Sequence, residues 1–263
     1  TLPTTDGTNG QVMTTNGSGV VSFADAGGGG ADLYAANESS PSAQPSATGT
    51  NAIAIGDSAV ASDVRAIALG YSSTASGENS SALGNATASG DSSAAVGFYA
   101  ETTGGGSVSL GYSAIASGTF AGTFGFNGRA SGNSAIPLGN SYASGEDSLA
   151  AVIDNNTSSY GALANYSVAI GYRARSNGTK SIAIGENTNV SAGSSSVVIG
   201  AGSQTTTNYA YAFGYYCTSS GNNAFAAGGN TLAAAADSVA MGSRSVANVR
   251  GKFAFASGRF AAG

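Results

Sequence analysis

Histidine and tryptophan do not occur in this sequence, and cysteine occurs once, at Cys217. Without histidine there is no imidazole for acid–base chemistry at neutral pH or for the usual zinc ligand sets, and one thiol cannot build a disulfide framework. Cys217 reads instead as a small side chain packed inside a coil. Charged residues make up only 9% of the 263 positions and aromatics 8%, so large side chains are too scarce to fill a wide globular core. No run approaches the roughly 18 apolar residues of a membrane helix. Thr1-Leu2-Pro3 does not begin a basic and then apolar leader. The chain is therefore expected not to be membrane-inserted, with any secretion signal outside this sequence.

What is abundant is glycine, at 41 residues, with Ser, Thr, Asn and Ala. Unordered, that mixture would make a flexible linker. It is ordered. Aligning units on the residue that closes each Ala-x-Ile-Gly-like segment gives Gly56, Gly70, Gly84, Gly97, Gly111, Gly125, Gly139, Ile153, Gly171, Gly185, Gly200, Gly214, Gly228 and Gly242; ten of the thirteen gaps are 14 residues and the others are 13, 18 and 15. Two short segments recur per unit, one like Ser181-Ile182-Ala183-Ile184-Gly185 and one like Thr74-Ala75-Ser76-Gly77, separated by turn residues. Two strands per constant period predict an all-β, parallel β-roll solenoid of about fourteen coils, each bonded to the coils above and below. At about 4.8 Å per coil such a roll would be on the order of 65–70 Å long.

Alternation places Ile182 and Ile184 on one face of a strand and Ala183 on the other, with Val168, Ala169 and Ile170 repeating the pattern one unit earlier. The branched face is expected to fill the roll. The Ala/Ser/Gly face is then left for close approach between identical rolls around a common axis, and three copies suit a fibre. These six residues are the expected roll and trimer contacts.

Asn165-Tyr166-Ser167-Val168-Ala169-Ile170-Gly171 and Lys180-Ser181-Ile182-Ala183-Ile184-Gly185, with interleaved Ala75-Ser76-Gly77, Ala88-Ser89-Gly90, Ala116-Ser117-Gly118 and Ala130-Ser131-Gly132, resemble the head repeats of YadA-like trimeric autotransporter adhesins over about residues 52–258. The resemblance implies left-handed parallel β-rolls packed as a homotrimer. Departures fall at Leu149–Ile153, where the glycine is lost, and in the extended turn Asp154–Gly161; coil stacking is expected to be disturbed there. The flanks point elsewhere. Leu2–Gly19 and Gly251–Phe260 are similar to segments of bacteriophage tail-fibre and other virion proteins. Gln11–Thr15 and Val20–Phe23 read as two strands joined through Asn16-Gly17-Ser18-Gly19. The expected organisation is an attachment hairpin and glycine hinge over 1–30, a linker over 31–50, the head over 51–242, and over 243–263 the start of a segment that continues beyond the chain.

Chemistry is sparse. The only adjacent acids, Glu146-Asp147, would point to opposite faces of a strand, and Asp57, Asp91 and Glu186 read as turn formers. No enzymatic activity, cofactor or metal is expected. Aromatics cluster at Phe120–Phe126, Tyr209–Tyr216 and Phe253–Phe260. Tyr172, Tyr215 and Tyr216 follow closing glycines and should sit at coil edges, where exposed rings make platforms for sugars. The net charge of −5 is unevenly spread: residues 1–170 hold twelve acids against Arg65 and Arg129, whereas 171–263 hold seven bases against Glu186 and Asp237. Arg173, Arg175 and Lys180 are the candidate contacts to an anionic host surface. The reading from sequence is a virion fibre, on a tail or capsid, that joins other fibre or virion proteins at its amino-terminal end and attaches to a host glycan or glycolipid. The alternative is the head of a bacterial surface adhesin. Neither requires nucleic acid.

Overall fold

The computed structural model describes residues 11–15, 17–25, 43–154 and 157–257. The chain divides into two units, residues 1–40 and 41–263. In the first, β1 (Gln11–Thr15) and β2 (Val21–Asp25) pair antiparallel with Met13 opposite Phe23. This is the hairpin read from the sequence. The Gly27–Gly30 hinge falls outside the described residues.

The second unit is a parallel β-solenoid of about fifteen coils, and among the described residues there is no helix. One fifteen-stranded sheet holds the longer strands, from Ile53–Ile55 to Phe253–Ser257; the other holds two-residue strands from Ser46–Ala47 to Val246–Ala247. Equivalent residues stack in register: Val168 on Ile182, Ala169 on Ala183, Ile170 on Ile184. Phe260 and the rest of the carboxy-terminal stretch lie outside the described residues.

Each 14-residue coil is two similar halves, as in 67–73 and 74–80. The second residue of each half points inward (Ala68, Ala75), the fourth is Gly70 or Gly77, the sixth is left-handed (Ser72, φ 52°; Asn79, φ 57°) and the seventh is again buried (Ser73, Ser80). A left-handed non-glycine residue costs about 1–2 kcal/mol. Here the cost is offset by the stack, because its N–H donates to a carbonyl one coil back: Ser72 to Asp57 at 2.8 Å, Asn79 to Val64 at 2.9 Å. The buried hydroxyl of the turn adds a bond to the carbonyl three residues back, as Ser73 to Gly70 (2.9 Å), Ser107 to Gly104 (2.6 Å) and Ser148 to Gly145 (2.6 Å), in the first two beside the residue's own longer N–H bond of 3.3 Å. Cys217 occupies this same inward position between Ser203 and Thr231, fully buried, with the Thr231 hydroxyl 3.0 Å from its sulfur.

The two strand faces are used in the reverse of the expected way. Ala169 and Ala183 are fully buried inside the roll, whereas Val168, Ile170, Ile182 and Ile184 point outward and are half-buried. Apart from Ile153, Val190, Val198, Pro137 and Cys217, the buried apolar side chains among the described residues are alanines. The physical reason is the spacing of the two sheets, which admits a methyl group and little more. The small-residue face is therefore the core of the single roll, and the branched face is what a single roll leaves uncovered.

Stacking also survives where it was expected to falter. Leu149, Ala150 and Ala151 pair in register with Ile136–Leu138 on one side and Val168–Ile170 on the other. That register sets Val152, not Ile153, opposite the glycine position. Val152 takes the glycine's left-handed conformation (φ 56°), a strained one for a β-branched residue, while Ile153 turns in and is fully buried. The extra residues leave the coil as a surface insertion: the long strands keep their full register, while the short-strand pair beside it retains one of the usual two rungs, Ala143 on Ala162.

Backbones of successive coils approach so closely that a methyl group on Gly118 would overlap the carbonyl oxygen of Gly132, whereas one on Gly229 would meet nothing. Gly118→Ala is expected to destabilise the fold by about 1–3 kcal/mol or more, the range of overpacked interiors, and Gly229→Ala to leave it unchanged. Thermal unfolding of the two variants checks this, and equal melting temperatures would contradict it.

Candidate functional site

The coil presents four surfaces: the outer face of the longer strands, the outer face of the short strands, and the two turn edges between them. Residue clusters in the sequence are dealt out among these surfaces by the period. Phe124 lies on the long-strand face, Phe126 on the edge that follows it, and Phe120 on the opposite edge, with its ring against the backbone of Gly106 one coil below. Tyr209, Tyr211 with Phe213, and Tyr215 with Tyr216 separate in the same way. Among the described residues no ring fills the interior.

The edge after the long strands carries more of the exposed rings than any other surface of the described residues. Phe98, Tyr112 and Phe126, one coil apart, stack with centroids 5.7 and 5.5 Å apart and planes 22° and 18° from parallel. Phe98 and Tyr112 are not part of any cluster evident in sequence, because the stacking appears only once the coil length brings residues 14 apart together. Further along the same edge, Tyr215 and Tyr216 meet edge to face at 4.4 Å, with the Tyr216 ring over Gly202. Tyr172 is 42% exposed, and the Arg173 guanidinium sits 5.0 Å from its ring centroid. Such a contact holds the cation in place with about 0.5–1 kcal/mol at an exposed site.

The three candidate bases do not form one patch. Arg173 is on this edge, Arg175 projects from the short-strand face, and Lys180 is at the left-handed position of the opposite edge. Arg173 and Arg175 do converge, in a cleft of about 480 Å³ beside the insertion, where Ser158, Ser159 and Tyr160 face Asn187, Thr188 and Asn189. Arg175 and Asn189 are neighbours in the short-strand ladder. The Arg175 Nε and the Asn189 Oδ1 are both buried without a hydrogen-bond partner. A second cleft of about 370 Å³, lined by Arg129, Tyr142, Thr157 and Ser158, lies on the other side of the insertion. Asn187, Asn189 and Tyr160 had no motif to mark them; the 18-residue gap was the only signal.

Several acids serve the turns. Asp57 accepts the Ala43 N–H at 2.8 Å and Asp91 the Glu78 N–H at 3.2 Å, and Glu186 accepts from Asn187 at 3.3 Å. Glu146 and Asp147 are exposed on a turn. The basic carboxy-terminal region is partly neutralised within the chain, because Arg250 Nε bonds Asp237 at 2.9 Å.

The YadA head domain repeat matches residues 47–73, 64–85, 75–100, 103–121, 162–188 and 219–245. Two longer intervals between the matches are not covered, 122–161, which contains the coil with the insertion, and 189–218. No individual curated protein matches the chain.

The hydrogen bond from Asn223 first, and then that from Arg250, holds the Asp237 carboxyl below the usual carboxylate range. A depressed folded-state pKa contributes stability that is present above the unfolded value and fades as pH falls through the folded one. Arg250→Gln and Asn223→Ala are each expected to raise this pKa toward the ordinary value. An NMR titration of the Asp237 side-chain carbon checks the shift; an unmoved midpoint in both variants would contradict the assignment.

Proposed function

The chain carries YadA head domain repeats between residues 47 and 245, and from that premise we propose that it is a structural, non-enzymatic segment of a homotrimeric fibre that attaches to a cell surface. The observation that carries the proposal is the outer face of the longer strands. Its two rows run from Ile53 through Ile67, Val108, Val168 and Ile182 to Phe253, interrupted at Ser81 and Gly122, and from Ile55 through Leu69, Leu110, Ile170 and Ile184 to Phe255, apolar at every coil; several members stay more than a third exposed in the single chain, including Ile53, Leu110, Leu138 and Ile199. A continuous apolar strip of this length marks an interaction surface. Copies meeting along a common axis bury it, and three of them form the assembly that the family resemblance implies.

With that face turned to the axis, the edges and the short-strand face remain open for attachment. The sequence resemblance of 2–19 and 251–260 to phage tail-fibre segments supports a virion fibre, with the amino-terminal hairpin joining other virion proteins and the more basic carboxy-terminal coils meeting a host glycan or glycolipid. The family match supports the head of a bacterial surface adhesin. Antibody labelling of purified particles and of cell envelopes separates the two.

Light scattering is expected to give three chain masses for the native protein. Ile170→Lys with Ile184→Lys should abolish the trimer, since buried like charges meet around the axis, while Thr218→Lys on the short-strand face should leave it intact. A stable, folded native monomer would overturn the proposal.

A further inference from the structure

We propose that the cleft beside residues 157–160 binds the carboxylate of an acidic sugar, an inference that rests on the attachment reading and names the ligand class for it. The cleft lies beside the coil where three irregularities of the repeat coincide: the lost glycine, the left-handed Val152 and the insertion. In stacked-repeat proteins an insertion of this kind adds a loop to one face, often the binding face. It leaves the long-strand register intact and costs the short-strand ladder one rung, with Ala143 on Ala162 retained.

The chemistry of the lining selects the ligand. Arg173 and Arg175 bring two guanidinium groups to one cleft, and a guanidinium matches a carboxylate with parallel hydrogen bonds. Arg173 is held over Tyr172, which makes Tyr172 a positioning residue. The lining includes no acid; the nearest in sequence, Glu186, accepts a hydrogen bond from Asn187. Arg175 Nε and Asn189 Oδ1 are a buried donor and a buried acceptor on adjacent coils, each without a partner. Both atoms are closed to solvent, so a uronic-type carboxylate meets the guanidinium ends of Arg173 and Arg175 and not these two atoms. The rest of the wall is hydroxyl and amide groups with one aromatic ring, Tyr160, and no aliphatic side chain, which suits a sugar and not a lipid tail or an apolar peptide. A volume of about 480 Å³ accommodates a saccharide unit and falls within the roughly 300–1,000 Å³ of ligand sites. The cleft opens on the short-strand face, so burying the apolar long-strand face leaves it accessible.

Calorimetric or saturation-transfer NMR titration of the full chain with glucuronate, glucose and inorganic phosphate tests this. Glucuronate is expected to bind, with glucose and phosphate each weaker by about tenfold or more. Arg175→Gln and Arg173→Gln should each weaken glucuronate by a similar factor with an unchanged melting temperature. Arg129→Gln, across the insertion, should not. Absence of glucuronate binding, equal binding of phosphate (an anion site without sugar selectivity), or equal loss in Arg129→Gln would overturn the proposal. Host-cell adsorption separates the two levels: adsorption that survives Arg173→Gln with Arg175→Gln sinks the cleft and spares the attachment reading, whereas a native trimer that adsorbs to no host surface sinks the attachment reading itself.

Discussion

The closeness of the two sheets governs the rest of the molecule. An interior that admits only alanine, serine, threonine and a few slightly larger side chains cannot draw much stability from apolar burial, since each methyl removed from water contributes only about 0.8 kcal/mol. Cohesion must then come from the ladders that run along both sheets and both turns, where strand pairs are repeated coil by coil and left-handed turn residues donate to the coil behind. That dependence explains the fixed period. A residue added to a strand would shift the ladders on both sides of it, while residues added to a turn, as at 154–160, leave the long-strand ladder whole and cost the short-strand ladder one rung.

The same constraint moves the large apolar side chains outward. A thin roll with Ile, Val, Leu and Phe on one outer face is incomplete alone, because the surface that would normally form a core is exposed. Covering that face with further copies converts three narrow rolls into one body with a wide apolar centre. What remains outside mixes polar groups with exposed rings, and much of its variation falls at turn positions outside the strand ladders. Turn positions accept Asp, Asn, Tyr, Phe, Arg or Lys with little effect on the fold, and these are the positions where the stacked rings at Phe98, Tyr112 and Phe126 and the cation at Arg173 are found.

The solenoid, its parallel pairing and the amino-terminal hairpin were legible in the sequence because they follow from period and turn residues. The direction of each strand face was not. Alternation distinguishes Ile182 and Ile184 from Ala183 but leaves open which side is inside, and the choice depends on an intersheet distance that no single position encodes. Register at the irregular coil was misplaced for a related reason: Ile153 stands 14 residues after Gly139, yet the coil is one residue shorter and Val152 takes the glycine's place. The cleft was half legible. Arg173 and Arg175 stood out as charges in a sparsely charged chain, whereas Asn187, Asn189 and Tyr160 join them only through stacking, and Lys180, near in sequence, is carried to the far edge.

The central claim is that the branched face is covered by other copies and the short-strand face is not. Cys217 is fully buried and therefore silent toward thiol reagents, so single cysteines placed at Ile184 and at Gln204 report the two faces of the native assembly. Maleimide labelling should modify Gln204→Cys rapidly and leave Ile184→Cys protected until the assembly is denatured. Equal, rapid labelling of both would contradict the account.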